Sequence, residues 1–400
     1  MKSRFIALTA LVVVAGLFGA PAAFASTSGY TPPTSGSTFH PVSVSRLHDS
    51  RSMGYKGAKP DKFSAGQIRI IPVKPGATAV AVNVTVTDAE APGFATLFPC
   101  ITGTKEQALA MFNVSNLNFV PGQTVANFAT PALNSAGELC VYSSAKVNVI
   151  IDYSGYFSLD VGGDKLQMLD ESVRKLDTRN SGVVKAGKTV AVKVTDAPQT
   201  VGMAAVNITA VDPAGAGFVT VFSCDNDRPT ASNLNYAAGQ TIANQAWVEV
   251  DKHGEVCVYA SETTHLIVDV QGYWGYFPGG ALYTPIVPVR VLDSRPKQAL
   301  DFGTAFWAPK YNKFALAAAV NVTVIDARGD GFGVAHDGTS GTPATSTLNY
   351  RRGSTVGASA TSWITANRNP ANGQVMYGIE VSLSGGAASL IIDVMGFYAP

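Results

Sequence analysis

Valines alternate with small or polar residues in several short stretches of the chain. They occupy every second position of 80–86, and the stretch 320–324 repeats this arrangement. A period of two residues is typical of a strand that buries one face. Gly, Pro, Asn and Asp interrupt the chain roughly every 8 to 12 residues, and no apolar stripe at helical spacing is sustained. The pattern therefore predicts an all-β protein of β-sandwich or barrel-like modules, each with about seven or eight strands.

Four groups of residues recur three times, in the same order and at closely matched spacing. They are Arg-x-x-Asp-Ser/Thr-Arg, Asn-Val/Ile-Thr with a following Asp and a Gly-Phe pair, Leu-Asn-Phe/Tyr, and Asp before Gly-aromatic-aromatic. The groups begin at Arg46, Arg174 and Arg290; at Asn83, Asn207 and Asn321; at Leu117, Leu234 and Leu348; and at Asp152, Asp269 and Asp393. Because loop length fixes how strands pair, this spacing predicts three tandem repeats of about 120 residues with one fold.

The repeats divide the chain into five parts. We predict a signal peptide at 1–25, a flexible leader at 26–39, and β repeats at 40–160, 161–278 and 279–400. The linkers between repeats are short and contain glycine, so the modules are expected to touch. Both a pseudo-threefold arrangement and a row of modules fit this sequence.

The third repeat departs from the first two. It has neither of their cysteines, and Ala358 stands where they have Asn127 and Asn244. Its loops are longer at 337–344 and 367–373. We therefore look first to this repeat for a role of its own.

The N-terminal residues predict export. Lys2 and Arg4 precede an apolar run over 5–20, and the small-residue stretch Ala23–Ala25 favours cleavage before Ser26. No later stretch approaches the roughly 20 apolar residues of a membrane-spanning helix. We expect a secreted protein, extracellular or associated with the cell surface, without a membrane span in the mature chain.

The charge balance argues against two classes of partner. The net charge is +1 and 14% of residues are charged. Nucleic acids and anionic membranes both call for concentrated Lys and Arg, so neither is expected to bind.

Four cysteines occupy matching places in the first two repeats. In an oxidising compartment this placement predicts two disulfides, each within one repeat. A metal site would require close Cys-x-x-Cys spacing or histidine partners, which do not accompany them. The residues are Cys100 and Cys140 in the first repeat, and Cys224 and Cys257 in the second.

The repeated residues resemble a repeat that recurs in secreted actinobacterial proteins, often beside cell-wall hydrolase or protease domains. Its pattern is R-x-L-D-T-R, N-V-T, Gly-aromatic, S-N-L-N, A-N and D-V-x-G-Y. The second repeat matches it best, through 174–179, 207–209, 232–235, 243–244 and 269–273. The resemblance covers nearly the whole mature chain and implies a cell-envelope or extracellular setting, but it supplies no activity and no binding residues.

Two sets of repeated residues are candidates for ligand binding. The second arginine of the Arg-x-x-Asp-Ser/Thr-Arg group offers a guanidinium fork to an anionic ligand, unless the group instead holds its strand through Arg-Asp pairs. One ring of each terminal aromatic pair, if it faces outward, offers a surface for a sugar; otherwise the ring closes the module or packs on the next one. The candidates are Arg51, Arg179 and Arg295, and Tyr156, Trp274 and Tyr398.

Repeated carboxylates allow a cation site, with Asp152, Asp269 or Asp393 beside Asp88, Asp212 or Asp326. Hydrogen bonding to turn amides is the simpler use, and we predict neither a metal nor a cofactor. No nucleophile elbow, zinc motif or phosphate loop is present, and the five histidines occupy unmatched positions.

These features predict a non-catalytic structural or interaction protein, whose partner is another surface protein or a second copy of the chain. The first alternative is a carbohydrate-binding protein whose ligand is cell-wall or extracellular polysaccharide. A glycoside-active enzyme with two carboxylates distant along the chain is the second alternative.

Overall fold

The computed structural model describes residues 30–52, 59–101, 113–295, 302–307, 315–338, 344–368 and 375–400. In these residues the chain forms 25 β-strands and no α-helix. The predicted all-β class is therefore confirmed. The predicted signal peptide lies outside the described residues.

The strands follow one another in a similar order in each repeat. The first repeat contains β1 (Thr38–Asp49), β2 (Gln67–Pro72), β3 (Ala77–Thr87), β4 (Gly93–Pro99), β5 (Leu117–Phe119), β6 (Val125–Ala129), β7 (Glu138–Ser143) and β8 (Asn148–Ser158). The second contains β9 (Lys165–Asp177), β10 (Lys188–Lys193), β11 (Val201–Val211), β12 (Gly217–Ser223), β13 (Leu234–Tyr236), β14 (Ile242–Glu249), β15 (Glu255–Ala260) and β16 (His265–Gly275). The third contains β17 (Leu282–Asp293), β18 (Phe302–Trp307), β19 (Ala317–Ile325), β20 (Gly331–His336), β21 (Leu348–Tyr350), β22 (Val356–Trp363), β23 (Thr365–Arg368), β24 (Val375–Gly385) and β25 (Ser389–Ala399).

The strands of the described segments form six antiparallel sheets, and each of these sheets takes all its strands from one repeat. In the first repeat the orders are β1-β8-β3-β6 and β2-β7-β4-β5. The corresponding orders are β9-β16-β11-β14 and β10-β15-β12-β13, then β17-β25-β19-β22 and β18-β24-β20-β21, with β23 added beside β24. The repeated motifs thus occupy equivalent positions in equivalent sheets.

Each repeat buries apolar side chains between its own two sheets. In the second repeat, Val192 and Val258 from one sheet and Val206 and Val268 from the other belong to a single buried cluster. The alternating valines of β3 and β19 are fully buried in the same way. Burial of these side chains, at about 25 cal/mol per Å² of apolar surface, is the main force that holds the sheets together.

The three repeats close into a ring. Beyond the sheets, isolated bridges join Phe39 to Asp164, Leu166 to Ala281 and Ser37 to Tyr283. These bridges connect the first repeat to the second, the second to the third, and the third back to the first. Of the two arrangements that fit the sequence, the structure therefore adopts the closed one. The last residues of the predicted leader 26–39 are part of the folded structure. Ser37 forms the bridge to Tyr283, and β1 begins at Thr38.

Large aromatic rings fill the centre of the ring of repeats. Trp274 lies 4.8 Å from Phe39 and 4.7 Å from Trp247, measured between ring centroids, and Tyr283 lies 4.8 Å from Tyr398. All three repeats contribute to this axial cluster. Because such rings bury large areas, the cluster stabilises the ring of repeats strongly.

Both predicted disulfides are present. Cys100 bonds to Cys140, and Cys224 bonds to Cys257. In the part of the chain that the structure describes, no helix has the length and apolar character needed to cross a membrane.

Candidate functional site

The first arginine of each repeated motif is held by a buried aspartate from the neighbouring strand. Arg46 Nε lies 2.6 Å from Asp152 Oδ1, and the Nε to Oδ1 distance is 2.8 Å for both Arg174–Asp269 and Arg290–Asp393. Burial raises the pKa of each of these aspartates and outweighs the hydrogen bonds from arginine that lower it. The pairs fix the register of the first strand in each repeat.

The second arginine of each motif, proposed above as an anion ligand, forms hydrogen bonds with the aspartate two residues before it. Arg51 binds Asp49 through Nε at 3.0 Å and Nη2 at 2.8 Å, although its side chain is 45% exposed. Arg179 and Arg295 bind Asp177 and Asp293 in the same bidentate way. These guanidinium forks are therefore already engaged by local carboxylates.

The charges around Asp49 change its ionisation. Burial tends to raise its pKa, but hydrogen bonds from Arg51 and the charges of Arg51 and Arg46 lower the pKa to about 2. The pKa values of Asp177 and Asp293 are also lowered, chiefly by the hydrogen bonds from their arginines. The motif therefore stays ionised and paired at neutral pH.

The repeated asparagines bind from one repeat to the next. The side-chain amide of Asn83 donates to Ser232 O at 2.6 Å, that of Asn207 to Ser346 O at 2.5 Å and that of Asn321 to Ser115 O at 2.7 Å. These bonds run from the first repeat to the second, from the second to the third and from the third to the first. The Asn-Val/Ile-Thr motif thus joins the repeats, a role that sequence reasoning missed.

A second asparagine strengthens two of the three seams. Asn127 donates to Asn321 Oδ1 at 2.8 Å, and Asn244 donates to Asn83 Oδ1 at 2.9 Å. In the third repeat the equivalent residue is Ala358, which is fully buried. Among the described residues, the seam between the second and third repeats, called the 2/3 seam below, therefore has no counterpart of this bond.

The structure does not support the predicted outward aromatic rings. Trp274 and Tyr398 are 0% exposed and belong to the axial cluster, so neither ring can meet a sugar at the surface. Tyr156 is half-buried between His40, whose ring stacks on it at 5.0 Å, and Lys74, whose Nζ lies 4.8 Å from the ring centroid. This ring therefore contacts side chains of its own repeat and is not fully buried like the other two. The outcome matches the alternative in which the rings pack on the module or its neighbour.

Asp88, Asp212 and Asp326 were proposed above as cation ligands, but their backbone conformation and contacts indicate a different role. These residues adopt φ values of 53°, 49° and 52°, a left-handed conformation at the end of a strand. Asp88 Oδ2 accepts a hydrogen bond from Asn148, whereas Asp152 is bound to Arg46.

Among the described residues, the group that could hold a metal is Cys224, Asp251 and Glu255. Cys224 is disulfide-bonded, so this group offers no thiolate ligand.

The 2/3 seam differs from the others in its side chains. His336 stands where the first two repeats have Phe98 and Phe222, and Glu380 stands where they have Cys140 and Cys257. His336 Nε2 lies 2.8 Å from Ser382 Oγ and 3.7 Å from Glu380 Oε1. Its Nδ1 accepts the Gly338 N–H at 3.0 Å, so neutral His336 has its proton on Nε2. A serine facing that protonated nitrogen is not activated as a nucleophile.

A cleft of about 360 Å³ opens at the same seam. We call it the seam cleft. Its walls come from the start of β9, from the turn 277–281 that follows β16, and from the edge of the third repeat at Leu316 and Trp363. None of the described residues that line it has a charged side chain. Trp363 donates its Nε1–H to Leu169 O at 2.7 Å across the seam, so the ring is held in place.

The residues of the seam cleft were not among the sequence candidates. Trp363 aligns with Ala132 and Glu249, and Phe277 aligns with Asp160. The sequence candidates are residues that recur in all three repeats, whereas the cleft is formed by residues that differ between the repeats. A search of the aligned repeats for aromatic substitutions would have found both rings.

Comparisons with known proteins identify no family. No family model matches the chain, and no curated protein matches it. A solved structure of the Sulfolobus Turreted Icosahedral Virus is 9% identical over 90% of this chain and 90% of that one, with a TM-score of 0.18. A structure described as the triple jelly roll fold and turret assembly in an archaeal virus is 8% identical over 93% and 89%, also at 0.18. Likeness at this level bears on neither fold nor function.

Proposed function

We propose that this chain is a secreted, non-catalytic protein of the cell envelope or extracellular space, made of three two-layer β modules. It acts by binding or assembly. The observation that carries the proposal is the use of the repeated residues: the arginines and aspartates pair internally, and the asparagines join one repeat to the next. The repeated residues therefore have structural roles.

Two further features support the extracellular setting. The disulfides Cys100–Cys140 and Cys224–Cys257 are of the kind that persists in oxidising compartments. The sequence pattern resembles a repeat of secreted actinobacterial proteins. Both features agree with the signal peptide predicted at 1–25.

Carbohydrate binding is the second candidate function, and the seam cleft favours it. The cleft combines aromatic rings, an amide side chain and uncharged walls in a volume that suits a small ligand. No observation favours glycoside cleavage in the same way: the buried aspartates of the repeats are paired with arginine, and no carboxylate is among the described residues of the seam cleft.

Two measurements test the proposal. The full chain is expressed with its N-terminal residues in an actinobacterial host, and the culture medium, cell wall and cytosol are probed for it. We expect the protein in the medium or wall, with its four cysteines resistant to alkylation until they are reduced. Cytosolic protein with four reactive thiols would contradict the proposal.

The second measurement asks what the exported protein retains. Purified protein is incubated with isolated cell wall, with soluble polysaccharides and with envelope proteins, and a urea-unfolded sample serves as the control. Retention by one of these that the unfolded sample lacks is the expected result. Release of new reducing ends from a polysaccharide would instead favour the enzymatic alternative.

A further inference from the structure

The seam cleft has the geometry of a small-ligand site. Phe277 and Trp363, both half-buried, line it from different repeats, and Leu316 is 38% exposed at its edge. Ligand pockets typically enclose roughly 300–1,000 Å³ and combine apolar walls with a few polar groups. The cleft, at about 360 Å³, lies at the lower end of that range.

The described residues of the cleft carry no charge, which favours a neutral ligand. An ion buried against such walls would lose hydration without gaining a counter-charge. Gln167 lines the cleft, is exposed, and its side-chain amide makes no hydrogen bond with the described residues. An amide offers both a donor and an acceptor, which suits hydroxyl groups.

The cleft is also held rigidly before any ligand arrives. Besides the Trp363 bond to Leu169, Leu316 N donates to Tyr398 O at 2.7 Å, and Ile364 N donates to Leu316 O at 2.8 Å. These bonds fix both the third-repeat wall and its distance from β9. Preformed walls lower the conformational cost of binding.

The equivalent place between the first two repeats has a different character. There His40 and Asp160 stand in the positions of Gln167 and Phe277, and Glu249 stands in that of Trp363. His40 Nε2 and Asp160 Oδ2 both contact Ser158 Oγ, at 2.9 and 3.0 Å, so this corner is polar and occupied by its own contacts. At the seam between the third and first repeats, Ala132 stands in the position of Trp363. The Trp363 ring and the uncharged walls beside it therefore belong to the 2/3 seam.

We propose that the seam cleft binds a neutral saccharide of one or two rings. One apolar face of the sugar packs on Trp363 or Phe277, because the partly positive C–H groups of a sugar complement the negative face of an aromatic ring. Hydroxyl groups at the sugar edge bond to the Gln167 amide. This inference rests on the binding function proposed above and assigns it a place and a ligand class.

The test is titration of the full chain with cellobiose, maltose and N,N′-diacetylchitobiose, followed by calorimetry and by saturation-transfer NMR. We expect saturable binding of at least one disaccharide. Trp363→Ala and Gln167→Ala should each weaken it about tenfold or more, and Trp363→Phe should restore part of the loss. Tyr276→Ala is the matched control, because this ring lies next to Phe277, is 84% exposed and does not line the cleft.

Two results would overturn the inference. One is the absence of saturable binding by all three sugars while the neutral apolar probe N-phenyl-1-naphthylamine binds in a Trp363-dependent way. The other is sugar binding that the Trp363 and Gln167 variants leave unchanged, with circular dichroism showing that they fold. If cell wall still retains those two variants, the binding function stands and the seam cleft is not its site.

Discussion

The asparagine that joins the first two repeats offers a quantitative test of the ring. Asn244 donates to Asn83 Oδ1 at 2.9 Å and to Asn233 O at 2.6 Å, and its own Oδ1 accepts the Phe128 N–H at 3.0 Å. Asn244 is 1% exposed, so water does not replace these partners. We consider the variant Asn244→Ala.

The expected loss of stability follows from these three bonds. The two donated bonds contribute about 1 kcal/mol each, and leaving the buried Phe128 N–H without an acceptor costs about 1–3 kcal/mol more. The free energy of unfolding should therefore fall by roughly 3–5 kcal/mol.

Urea unfolding of the full chain, with its disulfides intact and followed by far-UV circular dichroism, measures this loss. The control is Asn226→Ala, which removes one exposed bond to Glu249 at 3.0 Å and should change stability by about 0.5 kcal/mol or less. A loss below about 1 kcal/mol for Asn244→Ala, or one equal to the control, would show that the seam asparagines do not hold the ring.

Three further predictions concern other parts of the molecule. Replacing Cys224 and Cys257 together by alanine should cost roughly 3–4 kcal/mol, because the bond closes a loop of 33 residues, and the same change at Cys100 and Cys140, across 40 residues, should cost slightly more. Chemical unfolding of each variant checks this order, and equal stability of variant and parent would refute it. Trp274→Ala should lower the free energy of unfolding by about 3–5 kcal/mol, since the ring is fully buried in the axial cluster, and a melt unchanged from the parent would contradict that position. Burial lowers the pKa of His336 below 6.5, against the opposing charges of Glu380 and Asp337, so the unfolded chain takes up this proton first and stability falls as the pH drops below that value. His336→Phe should flatten this part of the stability curve between about pH 7.5 and 5.5, and equal slopes for variant and parent would count against the assignment.

Much of the fold follows from the sequence. The two-residue period and the matched motif spacing predict all-β modules, and the cysteine positions predict both disulfides, as the structure shows. These features are local or repeated, and a strand has few ways to satisfy them.

The candidate site could not be predicted in the same way. Trp274 and Tyr398 are repeated aromatics, but their burial depends on the packing of three repeats around one axis, which strand periodicity does not specify. Asn83 and Asn207 bind partners more than a hundred residues away, Ser232 and Ser346, so no local pattern reveals their role. Repetition indicates what a fold needs in each copy; a site found at one seam is revealed by the residues that break the repetition.

The bridge between Ser37 and Tyr283 joins the two ends of the ring, so the ring can close only late in synthesis of the chain. A chain that emerges from a ribosome presents Ser37 first and Tyr283 long afterwards. Until the third repeat is made, Asn207 lacks its acceptor Ser346 O, and the rings of Phe157 and Trp274 lack their neighbours Tyr283 and Tyr398. The third repeat therefore completes the ring, and a chain interrupted before it would expose apolar rings and unpaired amides of the first two repeats, which are surfaces prone to aggregation.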